Sequence, residues 1–76
     1  MTKQEFLREL ADVLNEDPAD VTDGKEVNAL DGWDSAGLLG VIAMLDSELD
    51  LQVDVDRLRG CKTVGDLVAL AGDKLQ

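Results

Sequence analysis

The first apolar residues of the chain recur at the spacing of an α-helix. Thr2 and Glu5 precede them, and their separation is that of a capping box. The apolar positions are Phe6, Leu7, Leu10, Val13 and Leu14. Because residues three and four positions apart share one face of a helix, the pattern predicts a first helix over residues 3–14 with one buried face.

The same spacing returns after Asp34, a residue type that favours the N-cap position. The apolar positions of this segment are Leu38, Leu39, Ile42, Leu45 and Leu49. We therefore expect a second helix over residues 35–49. At about 100° per residue, Ser35, Ile42 and Leu49 lie nearly on one line, so Ser35 is predicted to head the core-facing side of this helix.

Two shorter helical segments are predicted in the last third of the chain. Asp54 opens a short helix over residues 53–58, and Gly60 stops it. Thr63 and Asp66 then cap a last helix. Its apolar positions are Val64, Leu67, Val68, Ala71 and Leu75. No segment of useful length has the period of a strand, so the pattern predicts an all-α protein with three main helices and a short third helix.

A long first loop is predicted over residues 15–34, because Pro18 and the surrounding Asn, Asp and Gly residues interrupt regular structure. Loops of this length are uncommon in compact domains. Four apolar residues allow this one to pack back onto the helices, namely Val21, Val27, Leu30 and Trp33. With 76 residues in all, we expect a single domain spanning residues 1–76.

The net charge narrows the classes of partner. The chain carries 17 acidic and 7 basic side chains, for a formal net charge of -10. Such a field repels phosphate backbones and anionic membranes, so we expect neither nucleic acid binding nor membrane insertion. It attracts basic protein surfaces, which we expect among the partners. The alternative interpretation is that the charge only keeps the surface solvated.

The residue types that build most small active sites are missing. The chain has no His, and Cys61 is its one cysteine, which excludes Ser-His pairs, Cys-His pairs and zinc sites. The acidic loops lack the EF-hand spacing, so no metal site is predicted. We expect no enzymatic activity and a packed Cys61. The pattern contains no signal peptide and no membrane span, which predicts a cytoplasmic location.

Ser35 is the residue whose position suggests chemistry. A phosphate ester on its hydroxyl would lie at the positive end of the dipole of the second helix, beside free backbone N–H groups. That position suits the covalent attachment of a carried group. A serine near a helix N-terminus is also common without any chemistry, so position alone leaves both interpretations open.

The context of Ser35 favours attachment. Ser35 is the last residue of the run Leu30-Asp31-Gly32-Trp33-Asp34-Ser35. A helix rich in Leu and Ile follows this run, and Lys62-Thr63-Val64 opens the last helix. Combined with the helix order, the long first loop, the acidic charge and the lack of a catalytic set, this context resembles the acyl carrier proteins. The resemblance covers the whole chain.

The resemblance implies a four-helix bundle in which Ser35 carries a 4'-phosphopantetheine arm, added from coenzyme A by a phosphopantetheinyl transferase. The thiol of the arm would hold acyl groups as thioesters. Asp34 matches the family's acidic residue before the serine, which supports the modification. Implied partners are acyl-loading, condensing and acyl-transfer enzymes of fatty acid, polyketide or related specialised lipid biosynthesis, with basic docking surfaces. From the positions of the first and last helices we expect a free-standing carrier. We also expect it to be a monomer.

The docking candidates lie along one side of the second helix and are Ala36, Gly40, Ala43, Met44 and Ser47. At the first two of these positions, related carriers usually have a large apolar and an acidic residue. Gly37 and Gly40 each cost a helix about 1 kcal/mol relative to Ala. One interpretation is a tolerated defect. The other is a smooth strip, consisting of Ala36, Gly40, Ala43 and Ser47, that lets a dedicated partner approach closely.

Two further expectations concern the cargo and the third helix. The candidates for lining a cargo pocket are Leu39, Ile42, Leu45 and Leu67. Arg57 and Arg59 make the third helix more basic than is usual in the family, and one interpretation pairs them with Asp54 and Asp56. Together with the small docking residues, these departures favour a specialised pathway over generic fatty acid synthesis.

Other functions stay open at this point. Peptidyl and D-alanyl carriers share the arm, the serine and the bundle, although peptidyl carriers tend to have Gly-Gly-x-Ser where this chain has Gly-Trp-Asp-Ser. An acidic helical adaptor that binds proteins and carries nothing would have the same charge and helices. A small hydrolase is disfavoured because the chain has no His.

Overall fold

A computed structural model describes residues 1–75 of the protein and shows a helical fold. The helices are α1 (Lys3–Leu14), α2 (Ser35–Leu49), α3 (Val55–Arg59) and α4 (Val64–Ala71). The predicted all-α class, with three main helices and a short third one, is therefore confirmed. Within residues 1–75 there is no strand. An isolated antiparallel β-bridge pairs Glu26 with Thr63.

The two longest helices begin and end at the predicted residues because local side chains satisfy their ends. Before α1, the Glu5 amide donates to the Thr2 hydroxyl at 3.2 Å, and the Thr2 amide donates to Glu5 Oε1 at 3.0 Å. α1 and α2 end at residues in the left-handed conformation, Asn15 with φ 56° and Asp50 with φ 52°. Asn and Asp tolerate this conformation better than other residues with a side chain.

The later helices differ from the predicted bounds. α3 begins at Val55, two residues later than predicted, because Asp54 acts as its N-cap and accepts the Arg57 amide at 2.8 Å. α4 ends at Ala71, where Gly72 breaks the helical backbone and a short 3₁₀ turn, Gly72–Lys74, follows. Leu75 was predicted to lie in the last helix. It lies beyond it, although its side chain packs against the core.

The core face of α2 is rotated from its predicted position. Its buried side chains are Leu38, Val41, Met44, Leu45 and Leu49. Ser35 is exposed and Ile42 is half-buried, so the predicted line from Ser35 to Leu49 is the edge of the buried face and not its centre. The physical reason is that Gly37 and Gly40 approach α1 closely, which turns the side of α2 that carries Val41 and Met44 inward.

The long first loop packs onto the helices as predicted. Val21, Val27 and Leu30 are 2%, 0% and 4% exposed, and Trp33 is half-buried against the same core. Two short 3₁₀ turns, Pro18–Asp20 and Val27–Ala29, interrupt the loop. The buried apolar residues explain how such a long connection stays ordered.

Backbone hydrogen bonds tie this loop to the start of α4. The Val27 amide donates to the Lys62 carbonyl at 2.9 Å, and the Val64 amide donates to the Lys25 carbonyl at 2.9 Å. A third bond joins the Gly65 amide to the Asp23 carbonyl at 2.8 Å. The loop is therefore fixed at its middle as well as at its ends.

Among the described residues, no helix is long and apolar enough to cross a bilayer. Cys61, expected to pack, is half-buried at the edge of the core. Burial raises the pKa of the Cys61 thiol, which favours its protonated form.

The capping box of α4 predicts a dependence of stability on pH. Asp66 Oδ2 accepts the amides of Lys62 at 2.8 Å and Thr63 at 3.1 Å, and these bonds lower the pKa of the carboxyl. A carboxyl with a lowered folded-state pKa stabilises the fold above its unfolded pKa of about 4 and loses that contribution as the pH falls through the folded value. Asp66→Asn should therefore lose less unfolding free energy than the wild type as the pH falls.

The measurement is the urea midpoint from pH 7 down to about pH 3. Asp73→Asn is the matched control, because the Asp73 carboxylate makes no hydrogen bond within residues 1–75. An unchanged pH slope in Asp66→Asn, or an equal change in the control, would contradict this role for Asp66.

Candidate functional site

Ser35 lies at the surface as the first residue of α2. Asp34 caps the helix, since its Oδ1 accepts the Gly37 amide at 2.8 Å and its carbonyl accepts the Leu38 amide at 2.8 Å. These bonds fix the first turn while the Ser35 side chain points away from the core. The hydroxyl is thus held on a rigid element and open to solvent.

A backbone contact positions this turn against the rest of the fold. A Cβ atom at Gly37 would lie 1.9 Å from the Gly32 carbonyl oxygen, and one at Gly32 would lie 1.9 Å from the Leu14 carbonyl oxygen. The Gly32 amide also donates to Glu16 Oε2 at 2.8 Å. The end of α1, the end of the loop and the first turn of α2 therefore meet backbone to backbone. Gly37 is required by this contact, which corrects its interpretation as a tolerated defect.

A groove opens beside Ser35, between α2 and α3. It has a volume of about 160 Å³ and is lined by Ser35, Leu38, Leu39, Val55 and Arg59. Leu39 is 61% exposed, the large apolar side chain most open to solvent in the described chain. The groove therefore combines a hydroxyl, an apolar wall and a cation.

A second and more polar cavity lies on the other side of the α2 N-terminus. Its volume is about 380 Å³, and Glu16, Asp31 and Asp34 contribute to its walls. Within residues 1–75, no group of three or more acidic, His or Cys side chains is arranged to hold a metal ion. The carboxylates here give the surface beside Ser35 a negative charge.

The five docking candidates differ in their exposure to solvent. Ala36, Ala43 and Ser47 are exposed on one side of α2, as predicted. Gly40 is half-buried, and a Cβ atom there would lie 2.8 Å from Val13 Cγ1, so Gly40 faces α1. Met44 is 5% exposed and belongs to the core, so its assignment to the docking surface was wrong. The error follows from the rotation of α2.

The four cargo-pocket candidates also differ in their burial. Leu45 and Leu67 are each 1% exposed within the core, and Ile42 is half-buried at its edge. Leu39 lies apart from these three, on the surface groove beside Ser35. Whether the four residues line a cargo pocket stays a prediction.

Sequence reasoning missed the place of Val55 and Arg59 beside Ser35. The two residues are four positions apart, which puts them on one face of α3, but no sequence signal shows which element that face meets. The suggested pairing of Arg57 and Arg59 with Asp54 and Asp56 was wrong. Among the described residues, the ion pair that forms is Lys3 Nζ with Asp23 Oδ2, at 2.6 Å.

Comparison with known proteins identifies one family. The family model described as "Phosphopantetheine attachment site" matches residues 4–71. The match begins at the second residue of α1 and ends at the last residue of α4, so it includes Ser35 and all of α2, α3 and α4. No curated protein matches the chain at a significant level.

The backbone contact at Gly37 predicts a difference between two glycines of the same helix. Gly37→Ala should lower the free energy of unfolding by about 1–3 kcal/mol, because the new methyl group meets a backbone carbonyl that cannot move aside. Gly40→Ala should change it by about 1 kcal/mol or less. There the methyl group meets only the end of the Val13 side chain, and the gain in helix propensity offsets the contact.

Urea unfolding of both variants measures this difference. If Gly37→Ala were as stable as Gly40→Ala, the backbone contact between Gly32 and Gly37 would not constrain the site.

Proposed function

The chain belongs to the phosphopantetheine attachment family, and on that premise we propose that Ser35 is its attachment residue. This family attaches 4'-phosphopantetheine covalently, so the predicted cofactor and the resemblance to the acyl carrier proteins are confirmed. The chain is thus a phosphopantetheine-carrying protein.

The observation that carries the proposal is the exposed hydroxyl of Ser35 at the N-terminus of α2. Within residues 1–75, the backbone amides of Ser35 and Ala36 make no hydrogen bond. Unpaired amides and the helix dipole favour a negative charge at this position. When the Ser35 oxygen becomes part of a phosphodiester, this end of α2 therefore stabilises its charge.

The other serine of the chain offers no such environment. Ser47 lies in the last turn of α2, and its hydroxyl donates to the Met44 carbonyl at 3.5 Å. The C-terminal end of a helix disfavours an anion. Of the two serines in the sequence, the local electrostatics favour Ser35 as the attachment residue.

Asp34 is proposed to support the modification. One of its carboxylate oxygens caps α2, and the other accepts no hydrogen bond within residues 1–75. That oxygen remains available to the transferase. The cap bond holds the carboxylate at the start of α2, one residue before Ser35.

We propose that the protein is a carrier and not an enzyme. The arm supplies the thiol that holds acyl groups as thioesters, while Ser35, Asp34 and the start of α2 hold the arm at a fixed place. The sequence has no His to serve as a base. The proposed setting is a cytoplasmic fatty acid, polyketide or related lipid pathway.

Carrier domains of this family interact with phosphopantetheinyl transferases and with biosynthetic enzymes. For this chain we propose partners with basic docking surfaces, because its formal net charge is -10. The docking surface consists of Ala36, Ala43 and Ser47 beside Ser35. Small side chains there allow a partner helix to approach α2 closely. We propose acyl-loading, condensing and acyl-transfer enzymes as these partners, with the carrier acting as a monomer.

The attachment residue is tested by loading. Incubation with coenzyme A and a broad-specificity transferase should add one phosphopantetheine to the wild type, read by intact mass. Ser35→Ala should gain none, whereas Ser47→Ala, the matched control on the same helix, should load like the wild type. Loading of Ser35→Ala would contradict the proposal. No loading of any variant would favour a helical adaptor that carries nothing.

A larger side chain on the docking surface is expected to slow the reaction with the transferase. Ala43→Phe should lower the kcat/KM of the transferase about tenfold or more, since a blocked close approach removes on the order of 1.4 kcal/mol or more of binding energy. Ala69→Phe, at an exposed alanine of α4, is the matched control. Equal rates for the two variants would show that the transferase does not approach this side of α2.

A further inference from the structure

Glu16 joins the end of α1 to the segment that precedes Ser35. Its backbone amide donates to the Ala11 carbonyl at 2.8 Å, directly after Asn15 has ended the helix in the left-handed conformation. Its side chain contacts a residue sixteen positions later in the sequence, where Oε2 accepts the Gly32 amide at 2.8 Å. Glu16 is half-buried, and both its backbone and one of its carboxylate oxygens are therefore fixed.

The bond between Glu16 and Gly32 is the first in a series of hydrogen bonds that ends in α2. The Gly32 carbonyl accepts the Asp34 amide at 2.9 Å. The Asp34 carboxylate in turn accepts the Gly37 amide at 2.8 Å. Two hydrogen bonds therefore connect Glu16 to the residue before Ser35, and a third connects that residue to the first turn of α2.

Resting on the proposed function, we propose that Glu16 is a positioning residue for the attachment of the arm. It acts through the Gly32 amide and contacts neither the arm nor the reacting atoms. Its hydrogen bond holds residues 32–34 in place, and with them the orientation in which the Ser35 hydroxyl and the Asp34 carboxylate meet the transferase. Removal of this bond slows the transfer on a carrier that still folds and still docks.

Gly32 is the residue of this segment that most needs to be held. Because it has no Cβ atom, it has access to more backbone conformations than any other residue type. That missing atom is required, since a Cβ atom at Gly32 would lie 1.9 Å from the Leu14 carbonyl oxygen. The close approach to α1 thus places a conformationally permissive residue three positions before Ser35, and the bond to Glu16 restricts it.

A carboxylate at position 16 is favourable only if its hydrogen bond compensates for its charge. Glu16, Asp31 and Asp34 line one cavity of about 380 Å³ beside the start of α2. Carboxylates around one cavity repel each other, so a third acidic residue there costs free energy. A hydrogen bond from a backbone amide to an ionised carboxylate is stronger than one to a neutral acceptor, and it offsets this cost.

The transfer step depends on the orientation that Glu16 maintains. The Ser35 oxygen forms a bond to the coenzyme A phosphorus that bears the pantetheine. The bond from that phosphorus to adenosine 3',5'-bisphosphate breaks, and the hydroxyl proton passes to a base of the transferase. Because the attacking and leaving oxygens must lie roughly in line at the phosphorus, a hydroxyl on a loosely held helix start reaches this geometry less often.

The test measures kcat and KM of a broad-specificity transferase for the carrier at saturating coenzyme A. In Glu16→Ala, we expect kcat to fall about tenfold or more and KM to stay within about twofold, because misorientation slows the transfer step without weakening docking. Glu16→Gln keeps an oxygen that can accept the Gly32 amide. It should therefore keep at least about a third of the wild-type kcat.

Glu9→Ala is the matched control. Glu9 and Glu16 line the same neighbouring cavity, so both Ala variants remove one glutamate and one negative charge from its wall. The Glu9 carboxylate makes no hydrogen bond and no ion pair within residues 1–75, in contrast to that of Glu16. We expect the wild-type kcat and KM for Glu9→Ala.

Amide hydrogen exchange of the unloaded protein reports the bond itself. The Gly32 amide should be protected in the wild type and in Glu16→Gln, and should lose its protection in Glu16→Ala. The amides of Asp34 and Gly37 should exchange faster in Glu16→Ala as well, because they follow Gly32 in the series of hydrogen bonds. The Leu10 amide, within α1, should keep its protection and show that the variant is folded.

The outcomes separate this inference from the proposed function. Equal kcat for Glu16→Ala and a wild type that loads at Ser35 overturns the role of Glu16 and leaves the attachment site intact. A raised KM at unchanged kcat also overturns it, because Glu16 would then be a docking contact. Failure of the wild type to load at Ser35 overturns both proposals.

The variants also separate the hydrogen bond from the charge. Equal losses of kcat in Glu16→Ala and Glu9→Ala overturn the positioning role, because they assign the effect to net charge. A Glu16→Gln variant as slow as Glu16→Ala overturns the hydrogen bond as the cause. If Glu16→Ala does not fold, a wild-type Gly32 amide that exchanges without protection overturns the inference.

Discussion

The backbone contact among Leu14, Gly32 and Gly37 is the constraint on which the rest of the site depends. No side chain fits between these three residues, so the end of α1, the end of the loop and the first turn of α2 are held at van der Waals distance. Glu16 reinforces the contact through the Gly32 amide. The same contact sets the rotation of α2, because close approach of its glycine side to α1 turns Val41 and Met44 inward and leaves Ser35 outside.

Once α2 is fixed in this rotation, its sides differ in burial and in the elements that they face. The side with Val41 and Met44 closes the core, and the opposite side presents Ser35 and Leu39 to the groove shared with α3. Between them lies an exposed strip of small residues, which includes Ala43. The proposed attachment residue, the groove and the proposed docking strip thus lie on adjacent sides of one helix, in a chain whose formal net charge is -10.

The sequence predicted what local interactions determine. The ends of α1 and α2 follow from caps within a few residues, such as Thr2 with Glu5, and were correct; the family followed from a short motif together with the order of the helices. The rotation of α2 was missed because hydrophobic spacing gives no weight to glycine, whereas packing brings Gly37 into contact with another backbone. The place of Arg59 beside Ser35 was missed because it depends on how α3 packs, which no local pattern contains.

The central claim is that a rigid, exposed Ser35 at the start of α2 carries the arm. Fragmentation mass spectrometry of the loaded protein tests it most directly, because it assigns the added mass to a residue in the unaltered chain. The sequence contains two serines, Ser35 and Ser47, so the assignment is unambiguous. The account predicts phosphopantetheine on the peptide that contains Ser35 and none elsewhere. Modification of Ser47, or of any residue other than Ser35, would contradict it.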